Sequence, residues 1–134
     1  MLGGMIQGPP LPALRATASC FPALQLLLLF GSRARGTHHS ASDWDFAAIS
    51  RDLQTLDPLA AALAKTLRCD AVDVADLERA GALLRYQAAR DGQLIFEASH
   101  GNHMRFQVAA ASFWCDAGAT IERAYQIVLS RLGP

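Results

Sequence analysis

Asp43 and Asp45 stand with one residue between them, and ten residues separate them from the pair Gly31-Ser32. Alternate side chains of an extended strand leave the same face, so the two carboxylates would sit side by side. Like charges that close repel, and they favour a divalent cation between them. Mg²⁺ suits a site with few protein oxygens, because it keeps its remaining positions for water and phosphate. The Gly-Ser turn supplies the complementary half. With no side chain at Gly31, backbone N–H groups can approach phosphate oxygens closely. Together these features form a layout for a nucleoside triphosphate and its metal ions.

The flanking residues fit elements that would position such a site. Leu24–Phe30 is an apolar run, broken only by Gln25, between Pro22 and Gly31, which fits a strand buried on both faces. Asp43–Ser50 reads as a second strand, with Trp44 and Phe46 on the face opposite the aspartates. Asp52 reads as a loop residue. Asp57-Pro58 predicts a helix start, an N-cap followed by proline at the first helical position, and the helix runs to about Arg68. Cys69–Leu77 alternates again, so Val72 and Val74 point one way and Asp73 and Ala75 the other. Asp70 has the parity of Val72 and is expected to point away from the aspartates. Asp76 reads as the N-cap of a helix over Leu77–Arg90, with Leu83, Leu84, Tyr86 and Gln87 mid-helix. Asp91-Gly92 is a turn, Gln93–Ala98 a short strand, and Ser99–Met104 a polar linker. A long amphipathic helix follows over about 105–132. Its apolar stripe is Phe106, Ala110, Phe113, Ala117, Ile121, Ala124 and Val128, with Trp114 and Tyr125 beside it, as core padding or, on a second reading, facing a partner protein. Residues 1–12, with three glycines and three prolines, read as a flexible tail, and residues 13–134 as one domain whose N-terminal end is a short helix over Pro12–Phe21.

The string Phe30-Gly31-Ser32-Arg33-Ala34-Arg35-Gly36, with Ser42-Asp43-Trp44-Asp45, resembles the minimal nucleotidyltransferase domain of the DNA polymerase β-like superfamily. It is similar in particular to the MntA-type antitoxins that pair with HEPN-domain HepT toxins. Motif support covers 24–98; the last helix is similar only in pattern. The resemblance implies an α+β fold, a small mixed sheet flanked by helices, with a C-terminal amphipathic helix. Val72-Asp73-Val74-Ala75-Asp76-Leu77 matches the family's segment for a third carboxylate, which falls on Asp73, with Asp70 as its competitor. The implied site has Asp43, Asp45 and Asp73 as catalytic and metal-binding residues. Gly31, Ser32, Arg33 and Ser42 would bind nucleotide, with two Mg²⁺ ions and ATP as co-substrate. The implied activity is the antitoxin half of a type VII-like pair, moving AMP from ATP to a tyrosine of a HEPN-family RNase toxin. Arg35 is a weaker candidate than Arg33 for the triphosphate, and His38 and His39 read as solvated loop residues.

Composition narrows the alternatives. A 134-residue chain that is 51% hydrophobic suits one domain with a real core. Zero formal net charge argues against a broad nucleic-acid footprint, so no direct nucleic-acid partner is expected. Cys20, Cys69 and Cys115 are far apart, lack metal-ligand spacing and read as small buried residues of a cytoplasmic protein. No signal-peptide pattern opens the chain, and no apolar run can span a membrane. An enzyme acting on a small molecule or an RNA end is the second reading. It is disfavoured because no added substrate domain is evident. A non-catalytic module that masks a toxin is the third.

Overall fold

The computed structural model describes residues 8–35 and 43–132. Four strands, β1 (Leu24–Phe30), β2 (Trp44–Ser50), β3 (Val72–Asp76) and β4 (Gln93–Glu97), form one sheet in the order β3-β2-β1-β4. The sheet is mixed. β1 pairs antiparallel with β2 and with β4, while β2 and β3 run parallel. Five helices complete the described chain: α1 (Leu11–Ser19), the single turn α2 (Ser32–Arg35), α3 (Leu56–Leu67), α4 (Ala82–Asp91) and α5 (Asn102–Leu132).

The apolar run of β1 is central in the sheet and buried on both faces, as its composition demands. Leu27 and Leu29 join Phe46, Ala48 and Ile95 on one face, covered by Leu14 and Ala18 of α1 and Leu59 and Leu63 of α3. Leu26 and Leu28 join Ala47 on the other, covered by Ala88 and Ala89 of α4 and Phe106 and Ala110 of α5. The result is an α+β domain of three layers. α3 makes the crossover that the parallel β2–β3 pair requires. The Thr17 and Thr66 hydroxyls, 2.6 Å apart, join α1 to α3.

Several sequence expectations need correcting. Asp57 does not cap α3: a 3-10 turn over Leu53–Thr55 precedes the helix, and Asp52 accepts from the backbone N–H of Gln54 to start it. Asp57 instead lies within the first turn of α3, where its charge still suits the positive end of the dipole. Asp76 caps no helix either; its carboxylate accepts from the N–H of Glu78 in a turn, and α4 begins only at Ala82. α5 starts three residues early, at Asn102, where the N–H of His103 donates to the carboxylate of Glu97. Along α5, Phe106 and Ala110 are buried but Phe113 is exposed. Trp114 takes the inward place, stacked on Tyr86 at 5.2 Å. Cys20 and Cys115 are exposed, not buried. Among the described residues no helix is long and apolar enough to cross a membrane.

Candidate active site

The site forms at one end of the sheet, where β1 leaves it and β2 and β3 enter. Phe30, the last residue of β1, is the direct partner of Asp45. On the other side of β2, Asp45 is in register with Asp73 of β3. Paired residues of neighbouring strands share a face, so the alternation read from sequence places these two carboxylates together. Their face is that of Ala47 and Ala75, while Trp44, Val72 and Val74 pack on the opposite one. Asp43 lies one residue before β2 and is exposed. The N–H of Trp44 donates to the carbonyl of Ala71 at 2.8 Å, which ties the entry of β2 to that of β3.

Burial, then the nearby carboxylates of Asp43 and Asp73, push the Asp45 carboxyl above the usual range. Among the described residues, however, no three His, Cys, Asp or Glu side chains are gathered into a cage able to hold an ion by themselves. This set fits Mg²⁺, an ion that takes only one or two carboxylates and completes its octahedron with water and phosphate. It would not suit Ca²⁺, which wants six to eight protein and water oxygens.

Gly31 follows β1 with φ of 77°, and a Cβ there would come within 2.8 Å of the Asp45 Oδ2. The turn thus passes directly over the carboxylate, a closeness only glycine permits without strain. Ser32 opens α2 immediately afterwards. Arg33 places its guanidinium 4.2 Å above the Trp44 ring, on the sheet face away from Asp45. Ser42, His38 and His39 lie outside the described residues.

One acidic residue was given a strand parity that the structure does not support. Asp70 lines a small open cleft of about 180 Å³ together with Asp43, Ala71, Val72 and Asp73. Its strand parity with Val72 does not apply, because β3 begins only at Val72 and Asp70 sits in the bend before it. The contact of Arg33 with Trp44 was also missed; an arginine one position past a Gly-Ser turn reads as a phosphate ligand, and nothing local reveals a stacking partner eleven residues on.

Residues 13–101 match the family described as polymerase beta, nucleotidyltransferase. The chain is 32% identical over 99 residues to the protein adenylyltransferase MntA of Aphanizomenon flos-aquae, a match covering 64% of this chain and 65% of that protein. It is 37% identical over 98 residues to the MntA of Shewanella oneidensis, covering 69% and 68%. The chain thus spans about two thirds of the length of these relatives. Among solved structures it is similar to a toxin–antitoxin crystallised with AMP-PNP, with a TM-score of 0.74 and 28% identity over 90% of this chain and 98% of that one. It is also similar, with a TM-score of 0.60 and 28% identity over 87% and 90% of the two chains, to a structure of tri-AMPylated Shewanella oneidensis HEPN toxin in complex with MNT antitoxin.

Proposed function

The chain belongs to the polymerase β nucleotidyltransferase family, and from that premise we propose that it is an MntA-type antitoxin, an enzyme that moves AMP from ATP to a tyrosine of a HEPN-family toxin. The observation that carries this reading is the register pair Asp45–Asp73 with Gly31 passing over the Asp45 carboxylate. A nucleotide turn and a carboxylate pair meet there at one sheet end. The relatives named for protein adenylylation, and the neighbour holding an AMPylated HEPN toxin, support the choice of donor and acceptor.

In this reading the backbone at Gly31 and Ser32 holds the triphosphate by its oxygens. Asp43, Asp45 and Asp73 would share the Mg²⁺ ions, with no more than two carboxylates on any one of them, and bound Mg²⁺ would supply charge neutralisation for the attacking and leaving oxygens. The tyrosine oxygen attacks the α-phosphorus, the bond to the bridging oxygen of pyrophosphate breaks, and AMP remains on the tyrosine. Asp73, the most exposed of the strand-borne carboxylates, would either help hold a second ion or take the hydroxyl proton at its carboxylate oxygen. Positioning and charge do most of this work, so a small domain suffices.

The test incubates the protein with ATP, Mg²⁺ and a HEPN-family toxin, and maps the added mass by mass spectrometry. An increment of one AMP or more on a toxin tyrosine, lost in Asp43→Asn and Asp45→Asn, is the expected result. Transfer to an RNA end or a small molecule instead would overturn the choice of acceptor. A tight complex with no transfer would leave only a masking role.

A further inference from the structure

The residue between the two site aspartates is a tryptophan, and its ring lies on the reverse of the sheet. Trp44 is stacked on Phe46, with ring centroids 6.3 Å apart and planes 11° from parallel. Phe46 is fully buried between the sheet and its covering helices. On its outer side Trp44 carries the Arg33 guanidinium at 4.2 Å from the ring centroid. Arg33 belongs to α2, the single helical turn that follows Gly31. A four-residue helix cannot hold itself, because nucleation costs more than one turn of hydrogen bonds returns. α2 therefore depends on what it leans on: Ala34 against the core, and Arg33 on Trp44.

We propose that Arg33 and Trp44 form a strut that fixes the Gly31-Ser32 turn relative to the aspartates. Arg33 is then a positioning residue and not a phosphate ligand. The inference rests on the nucleotide-binding reading above and replaces the sequence expectation for Arg33. The same strand fixes both halves of the site. β2 presents Asp45 on one face, under Gly31, and Trp44 on the other, under Arg33. The turn is thus clasped around the strand end from both sides. A phosphate-binding arginine would need its guanidinium on the Asp45 face; here it lies over an aromatic ring of the opposite one, a contact the guanidinium favours.

A double-mutant cycle tests this in the full chain. The variants are Arg33→Ala, Trp44→Leu, their combination, and Trp44→Tyr, which keeps an aromatic face. ATP affinity is read by calorimetry, amide hydrogen exchange is read at residues 31–35 without nucleotide, and KM and kcat for AMP transfer are measured. Each single variant should weaken ATP binding about fivefold to tenfold, the scale of one cation–π contact. The double variant should be no weaker than the worse single one. KM for ATP should rise while kcat at saturating ATP holds, exchange at 31–35 should speed up in both single variants, and Trp44→Tyr should restore most of the loss. Additive losses in the double variant would overturn the proposal, as would a loss in Arg33→Ala alone. Failure of the wild type to bind ATP would sink the adenylyltransferase reading instead. The exchange cycle would then still decide the strut, since unchanged exchange in both single variants refutes it.

Discussion

Gly31→Ala is the sharpest perturbation of the candidate site, because its two costs can be worked separately. The first is conformational. Gly31 has φ of 77°, and an alanine held in that left-handed region costs about 1–2 kcal/mol. For a domain of this size that is a fall in Tm of roughly 3–8 °C. The second cost is local. The new methyl carbon would lie 2.8 Å from the Asp45 Oδ2, where ordinary contact begins at 3.4 Å. The carboxylate or the turn must therefore give by about 0.6 Å. A misplacement of about 1 Å costs roughly 100-fold in rate, so a fall of at least about tenfold in AMP transfer is expected. Scanning calorimetry reads the first cost, and single-turnover transfer from labelled ATP the second. Gly118→Ala is the control. That glycine sits inside α5 with open space where a Cβ would go, so alanine there should stabilise by about 0.5–1 kcal/mol and leave transfer alone. A Gly31→Ala protein with wild-type Tm and wild-type transfer would refute the close approach of turn and carboxylate. A lower Tm with full transfer would show strain without any part in the site.

Two further predictions follow from the charge at the strand ends. Burial and the carboxylates of Asp43 and Asp73 raise the Asp45 pKa, so the folded state binds that proton more readily than the unfolded chain does. The ionised form therefore costs stability at any pH above the raised value, and the cost vanishes as pH falls through the carboxylate range. Asp45→Asn should raise Tm at pH 7 and lose that advantage near pH 4, with Mg²⁺ narrowing the gap by stabilising the wild type; a variant less stable than wild type at pH 7 would contradict this. Asp70→Asn should raise the Mg²⁺ concentration for half-maximal transfer a few-fold, since Asp70 shares the cleft of Asp43 and Asp73 and like charges draw a cation by summed field. A metal titration that superimposes on the wild type would remove Asp70 from the site.

What could be read from the sequence, and what could not, divides along a physical line. β1 was legible to the residue because a run that is apolar but for Gln25, closed by proline and glycine, has few other uses, and its central place in the sheet follows from burial on both faces. The shared face of Asp45 and Asp73 was legible because alternation is a property of each strand alone; only the register that sets them side by side required the fold. Caps were harder. Asp52, Asp57 and Asp76 all carry the same short carboxylate, and which one finds a free N–H depends on where the chain turns, not on residue type. Asp70 failed for a related reason: parity was extended two residues past the end of a strand, into a bend where it has no meaning. Arg33 was hard to read for a different reason. Its chemistry suits phosphate and aromatic ring equally well, and its contact with Trp44 depends on that ring's inward place, itself a consequence of the alternation along β2. The alternation that assembles the carboxylates on one face thus also forces the tryptophan onto the other, where α2 can rest on it. The support of the Gly31-Ser32 turn and the gathering of the acidic groups both trace to one strand's period of two.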